Sequence, residues 1–203
     1  MQPLEKSLSI SQSIVIQLTE TILSGDLPGG SELTQEELAE TFGVSRMPVR
    51  DAISRLERRG LLERLPNRHV RVSPITGAHV LQIFAMIALC QAQCLEDLAQ
   101  DPAAWQRFTE TIPSRITEDT MLRFHRTLAQ SVSCAYLHAL VTDMVECFVR
   151  VGLRAPDARC TEGFRQYLLA LAQKDLAGCR RALREHCRAM GDGLIQNLPR
   201  NDT

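Results

Sequence analysis

The sequence predicts a mainly α-helical protein, with a winged helix-turn-helix at the N-terminus followed by an all-α bundle. Three observations predict it. Two short amphipathic segments meet at Gly43, two short strand-like segments follow them, and the rest of the chain has helical apolar spacing with only 4% aromatic residues. A break at the Pro-containing segment 73–77 divides the chain into residues 1–75 and residues 76–203.

The first helix is predicted over residues 9–24. Its apolar residues recur at a spacing of four, which places them on one helical face. Gly25 ends it, and a Pro/Gly-rich turn follows at residues 26–30. The residues of that face are Ile10, Ile14, Leu18 and Ile22.

The stretch from Leu33 to Leu62 predicts the helix-turn-helix. Thr34 and Glu37 form the sequence pattern of a capping box at the start of its first helix. Gly43 can take the positive φ with which such a helix ends. The second helix has one apolar face, composed of Val49, Ala52, Ile53 and Leu56.

A basic stripe coincides with this motif. Residues 46–71 contain eight arginines and three acidic residues, a net charge of +5, whereas the whole chain has a net charge of −1. Such a stripe is typical of phosphate binding by nucleic-acid-binding domains. The alternative is a solvated helix face of Glu/Arg pairs.

Two strands complete the predicted wing. Residues 61–64 and 70–72 alternate in the manner of short strands, and residues 66–69 form the turn between them. Arg68 and His69 lie at the tip of this hairpin, where they are expected to meet a minor groove or phosphates.

The remainder is predicted to be helical and electrically balanced, with fourteen basic and fourteen acidic residues. It contains about six predicted helices, which together form an all-α bundle. They lie at roughly 77–100, 102–112, 118–132, 135–153, 160–173 and 175–196.

Composition excludes several classes of protein. The seven cysteines form no CxxC pair, which favours reduced thiols in a cytoplasmic protein. No run of eighteen apolar residues indicates a membrane span, and the N-terminus lacks the pattern of a secretory signal. No phosphate loop, nucleophile elbow or HExxH motif occurs, so we expect no enzymatic activity.

The stretch ILSGDLPGGSELTQEELAETFGVSRMPVRDAISRLERRGLLERLPNRHVRV resembles the DNA-binding domain of the GntR superfamily of bacterial regulators. The helical remainder resembles the FCD branch, which has an FadR-type C-terminal ligand domain. That second resemblance depends on FHRTLAQ at residues 124–130 and on the spacing from Asp175 to His186.

The resemblance implies a homodimeric transcription factor that binds a short palindromic operator in double-stranded DNA. Arg46 and Arg50 occupy the positions that contact base edges and phosphates in the family. Glu36 stands where an arginine often lies, and His69 replaces the wing-tip glycine. The expected DNA-contacting residues are Thr34, Gln35, Glu36, Ser45, Arg46, Pro48, Val49, Arg50, Arg68 and His69.

The resemblance also implies a small effector in the C-terminal domain, often held with a divalent metal by one aspartate and three histidines. Met121 and Phe164 stand at two of those four positions, so only His125 and His186 remain as candidate ligands. We therefore expect no metal cofactor. The expected effector pocket comprises Ile87, Gln91, Cys94, Met121, His125, Phe164 and His186.

Three alternatives remain open at this point. Cys90 and Cys94, four residues apart on one helical face, could form a soft metal site with the two histidines. One of the thiols, Cys187 beside His186 being the best placed, could sense oxidants. The bundle could also be an effector-less protein-interaction domain. Repression is the more common outcome in the family.

Overall fold

The computed structural model describes residues 9–66, 69–154 and 158–196, and the chain divides into two compact units. The first unit includes the described residues up to Ile75, and the second begins at Thr76. Each unit has its own hydrophobic core.

The N-terminal unit is composed of three helices and a three-stranded antiparallel sheet. The strands lie in the order β1-β3-β2. In chain order the elements are α1 (Ile10–Leu23), β1 (Glu32–Leu33), α2 (Gln35–Phe42), α3 (Arg46–Arg58), β2 (Leu62–Arg64) and β3 (Val70–Val72).

Local sequence signals set the ends of these helices. The side chain of Thr34 accepts a hydrogen bond from the backbone N–H of Glu37, and the Glu37 side chain accepts one from the backbone N–H of Thr34, as the capping box predicts. Gly43 ends α2 with φ of 62°, a left-handed conformation that favours glycine. The predicted helix-turn-helix is confirmed.

Strand β1 was not predicted from the sequence, because two residues are too few to show an alternating pattern. It pairs with β3 in the register Glu32 to Arg71 and Leu33 to Val70. The Arg71 guanidinium donates a hydrogen bond of 3.1 Å to the Glu32 carboxylate. This pair neutralises one of the eight arginines of the basic stripe.

The second unit is entirely helical over its described residues. Helices α9 and α4 both pack along α10, which is the central helix of the bundle. The helices are α4 (Gly77–Ala99), α5 (Pro102–Thr109), α6 (Glu118–Gln130), α7 (Ala135–Met144), α8 (Arg150–Arg154), α9 (Ala158–Ala172) and α10 (Leu176–Ile195).

The helix predicted over residues 135–153 is confirmed, since α7 and α8 follow one another without a break in helical structure. They are joined by a π-helical turn at Val145–Val149, which was not predicted. Glu146 in this turn accepts hydrogen bonds from Arg126 on α6 and from Arg150 on α8. Apolar periodicity does not reveal a π turn, because such a turn adds one residue to the helix without a change in amino-acid composition.

Helix α4 is long and apolar enough to cross a bilayer by length and composition alone, the one such helix in the described part of the chain. Core helices of soluble proteins meet the same criterion, so a single example is weak evidence of a span. Val80, Phe84 and Ile87 on α4 are buried in the bundle, which is the usual reason for such a composition.

Candidate nucleic-acid interface and buried histidine site

Helix α3 has a fully buried face and an exposed face. Val49, Ala52, Ile53 and Leu56 each have no exposed surface. Arg46 and Arg50 lie on the exposed side. The buried face anchors the helix in the N-terminal core, and the exposed arginines remain accessible to a partner.

Arg50 has no ion-pair or hydrogen-bond partner within the described residues, so its guanidinium can engage an external oxyanion. Met47 beside it is 58% exposed, which widens the accessible surface at the start of α3. A cationic group next to an exposed helix start is suited to phosphate and base contacts.

Val49 was expected at the groove, and the structure contradicts that expectation. Its side chain is completely buried against the rest of the unit. From its sequence position, Val49 could be a core residue of α3 or a DNA-contacting residue of the family motif. Its burial shows that it is a core residue.

Glu36 on α2 forms an ion pair with Arg46 on α3, with 3.0 Å between a carboxylate oxygen and Nη1. Both side chains are more than half exposed. The carboxylate that departs from the family pattern is therefore neutralised by the first arginine of α3. The sequence contained both charges, but only the packing of α2 against α3 brings them together.

The other expected contacts on α2 have different surroundings. Thr34 donates its hydroxyl to the Glu37 carboxylate at 2.8 Å, so this side chain is engaged in the cap. That hydrogen bond and a second one from the Thr34 backbone lower the pKa of Glu37. Gln35 is half-buried at the start of α2.

The turn and the wing hold the remaining candidates. Ser45 is the exposed N-cap residue of α3, and its side chain makes no capping hydrogen bond. Pro48 is the third residue of α3, where a helix needs no N–H donor. Nδ1 of His69 lies 3.7 Å from Glu32. Arg68 lies outside the described residues.

In the helical unit, three predicted site residues form one buried hydrogen-bonded chain. Nδ1 of His125 lies 2.8 Å from Oε1 of Gln91, and Nε2 of His125 lies 3.0 Å from Nε2 of His186. Nδ1 of His186 lies 2.8 Å from the carbonyl oxygen of Cys160. None of the three side chains is exposed.

The acceptor at one end of this hydrogen-bonded series determines which ring nitrogens carry a proton. The Cys160 carbonyl only accepts, so His186 carries its proton on Nδ1 and its Nε2 is an acceptor. His125 must then carry its proton on Nε2, and its Nδ1 needs a donor. A 180° rotation of the Gln91 amide exchanges its oxygen and nitrogen, so that Nε2 donates to Nδ1 of His125. Without this rotation, Nε2 of Gln91 has no hydrogen-bond partner.

Burial also fixes the charge of the pair. Desolvation lowers the pKa of His186 to about 4, and desolvation together with the neighbouring His186 lowers the pKa of His125 well below 6.5. Both imidazoles are therefore neutral at pH 7, with one N–H each, which is the number that the directed chain from Gln91 to Cys160 requires.

The expected effector pocket is a packed cluster of side chains. All seven residues of that expectation are buried, and Phe164 packs against His186 with 5.2 Å between ring centroids. Four of them, Gln91, His125, Phe164 and His186, contact one another directly. The sequence pattern did not reveal these contacts.

The two sharper alternatives find no support in the described residues. No three His, Cys, Asp or Glu side chains there converge on a point that could hold a metal ion, so Cys90 and Cys94 do not complete a site with the histidines. Burial raises the pKa of Cys94 to about 11 and that of Cys187 further still. Buried thiols of this kind are poor nucleophiles at neutral pH.

Two groups of functional interest were missed from the sequence. The Cys160 backbone carbonyl accepts from His186, and no side-chain pattern predicts a backbone acceptor. Glu146 lies between Arg126 and Arg150; burial raises the pKa of Glu146, but the hydrogen bonds and charges of the two arginines outweigh that effect and lower it.

A helix-turn-helix with a β wing and an exposed arginine face defines the N-terminal unit as a winged-helix domain of the DNA-binding class. Residues 10–72 match the family described as "Bacterial regulatory proteins, gntR family". This unit is a GntR-family helix-turn-helix domain, as the motif predicted.

Similar proteins carry regulator names. The chain is 30% identical over 109 residues to an uncharacterized HTH-type transcriptional regulator, YdhC, of Bacillus subtilis, covering 54% of this chain and 47% of that protein. It is 43% identical over 79 residues to the HTH-type transcriptional repressor NagR of the same organism, covering 38% and 32%. The matched stretch thus spans less than half the length of each.

The fold of the whole chain also has a solved counterpart. E. coli McbR/YncC matches 93% of this chain and 98% of that chain with a TM-score of 0.59 and 22% sequence identity. At that identity the likeness is one of fold. It indicates that a winged helix-turn-helix followed by a helical domain is an established architecture.

Proposed function

We propose that the protein is a sequence-specific DNA-binding transcription regulator that acts in the cytoplasm as a homodimer. The observation that carries the proposal is the division of α3 into a fully buried apolar face and an exposed face with Arg46 and Arg50. A helix anchored in this way can enter the major groove without loss of its own core packing.

In the proposed complex, the start of α3 contacts base edges. Arg50 reads a guanine through two hydrogen bonds, and Ser45 and Pro48 contact the neighbouring backbone and bases. Arg46 shares its charge between Glu36 and the DNA, and the wing residues Arg68 and His69 approach phosphates or the minor groove.

The proposed dimer pairs the helical units through an exposed apolar surface on α4 and α7, two helices that contact each other. Five large apolar side chains on it are 38–75% exposed. Several exposed large apolar side chains on two neighbouring helices are a feature of protein interfaces. The five residues of this α4/α7 surface are Met86, Leu89, Tyr136, Leu137 and Leu140.

We further propose repression as the regulatory outcome and modulation by a small effector in the FCD-type helical unit. The printed name of NagR, a repressor, supports the first point. By thermodynamic linkage, an effector that changes operator affinity is itself bound with an affinity that operator DNA changes by the same factor.

Fluorescence anisotropy with the DNA upstream of the protein's own gene tests the proposal. We expect tighter binding to this DNA than to random duplex, with affinity that falls steeply as salt rises. Arg50→Ala should cost about 1–3 kcal/mol of specific binding. Arg50→Lys, which keeps the charge but loses the bidentate geometry, should retain random-duplex binding and lose specificity.

The matched control is Arg165→Ala, which removes an arginine from α9 in the other unit and should leave operator affinity unchanged. Equal affinity of the wild-type protein for operator and random duplex across the salt series would contradict the proposal.

A further inference from the structure

A cavity of about 500 Å³ lies beside α6, outside the buried histidine site. One wall is the exposed side of α6, and the other is the segment between α5 and α6. Its size falls within the usual range for small-molecule sites, about 300–1,000 Å³. The residues that matter to its chemistry are Ser114, Arg115, Thr120, Arg123, Phe124 and Thr127.

The cavity is positively charged, because Arg115 and Arg123 line it and no acidic residue does. Both arginines are exposed, and neither forms an ion pair or a side-chain hydrogen bond within the described residues. The positive charges of two guanidiniums beside one cavity repel each other, and an anion bound between them offsets this repulsion. Together they supply the charge that neutralises a dianion.

In a second groove of the same unit, two lining arginines are paired with acidic residues. It lies between α9 and α10, with a volume of about 780 Å³. Its Arg159 pairs with Asp192 at 3.3 Å, and its Arg181 pairs with Asp175 at 3.8 Å, both acids belonging to the same lining. The α6 cavity differs from this groove in that no acidic residue lines it.

Threonine hydroxyl groups donate hydrogen bonds to the backbone carbonyls of both arginines. The Thr120 hydroxyl donates to the Arg115 carbonyl oxygen at 2.8 Å, and this bond joins the connecting segment to α6. The Thr127 hydroxyl donates to the Arg123 carbonyl oxygen at 3.0 Å. Both arginines thus extend from backbone that is fixed by hydrogen bonds.

Phe124 also lines the cavity, but it is only 2% exposed, so its ring offers a ligand almost no apolar surface. Its ring packs on Phe108 with 4.9 Å between centroids and makes an edge contact with Phe164 at 5.5 Å. The ring therefore belongs to the aromatic cluster of the bundle, and the arginines supply the recognition chemistry of the cavity.

We propose that this α6 cavity binds a phosphate dianion, either inorganic phosphate or the phosphate group of a monoester. The phosphate lies between Arg115 and Arg123. The proposal concerns ligand binding alone and does not depend on DNA binding by the other unit.

Isothermal titration calorimetry on the full chain without DNA tests the proposal, with phenyl phosphate, inorganic phosphate and benzoate as probes. We expect inorganic phosphate and phenyl phosphate each to bind at least about tenfold more tightly than benzoate, which carries a single negative charge. Arg115→Gln and Arg123→Gln should each weaken the binding of both phosphates about tenfold or more, and thermal unfolding should confirm that both variants fold.

The matched control is Arg107→Gln, an exposed arginine of α5 that does not line the cavity, and it should bind phenyl phosphate like the wild type. The proposal is overturned if no binding occurs up to about 10 mM. Binding of benzoate as tight as that of inorganic phosphate, or an equal loss in Arg107→Gln, would also overturn it.

Discussion

Nε2 of His125 and Nε2 of His186 lie 3.0 Å apart, in two fully buried rings whose planes differ by only 6°. Two neutral imidazoles can hold this contact only when one of them donates and the other accepts. The acceptor at the His186 end of the pair decides the direction, so a backbone carbonyl in α9 determines the tautomer of a histidine in α6.

This direction predicts the tautomer of each ring. We expect His125 to carry its proton on Nε2 and His186 to carry its proton on Nδ1 at neutral pH. Long-range ¹H–¹⁵N correlation spectra distinguish the two tautomers by their nitrogen shifts. Identical tautomers at the two residues would contradict the directed chain, and Gln91→Leu, which removes the donor, should change the His125 pattern.

The stability of the protein should decrease in mild acid. The pKa of His186 is about 4 in the folded protein and about 6.5 when unfolded, because burial disfavours the charged ring. The unfolded chain therefore binds more protons between these values, so stability present above pH 6.5 is lost as the pH falls toward 4.

Urea unfolding at about pH 7 and about pH 5 should show a loss of roughly 2 kcal/mol from His186, with a further loss in the same direction from His125. His186→Asn, which does not titrate, should reduce that difference even if it lowers stability at both pH values. An undiminished pH dependence in the variant would assign the effect to other groups.

Glu36→Gln should raise affinity for random duplex DNA by about twofold to tenfold. The change removes a carboxylate near the proposed phosphate contacts and releases Arg46 from its ion pair. Protein stability should change by less than about 1 kcal/mol, because the pair is exposed. Anisotropy with a random duplex measures the affinity.

The control is Glu40→Gln, the same charge change one turn further along α2 at an exposed residue. If Glu40→Gln raises the affinity as much as Glu36→Gln does, the effect is one of net charge rather than of the pair with Arg46.

Gly163→Ala should destabilise the protein by about 1–3 kcal/mol. A Cβ at this position would lie 2.9 Å from the backbone nitrogen of His186 and 3.0 Å from its Cα, and backbone atoms cannot turn aside as a side chain can. Urea unfolding gives the difference. Arg165→Ala, on the exposed side of the same helix, should stay within about 0.5 kcal/mol of the wild type.

Leu89→Arg should shift the protein from dimer to monomer in sedimentation velocity. Leu89 is 59% exposed on the α4/α7 surface, and a charge there would have to be desolvated in the proposed interface. Leu169→Arg is the matched control, since Leu169 is 50% exposed on α9, away from that surface. An unchanged dimer in Leu89→Arg would place the interface elsewhere.

The sequence predicts the N-terminal unit well because its signals are local. The Thr34–Glu37 cap and Gly43 act over a few residues, and both lie where the spacing predicts them. Val49 shows the limit: its type and position fit a core residue and a groove contact equally, and only its burial separates the two.

Interactions between distant residues could not be predicted. The Glu36–Arg46 pair depends on the angle between α2 and α3, and Gln91, His125 and His186 come from three helices. A family resemblance placed the histidines near one another, but only packing shows that each one uses the other as a partner.

The π-helical turn at Val145–Val149 has a consequence for insertions and deletions in this chain. It holds one residue more than a regular α-helical turn would, so removal of one residue could restore an unbroken helix. Deletion of one residue inside this turn would therefore leave Val151 and Leu153 facing the core, whereas the same deletion in regular α7 would rotate the following residues by about 100° about the helix axis. A related chain that lacks this residue would keep the same apolar pattern in α8.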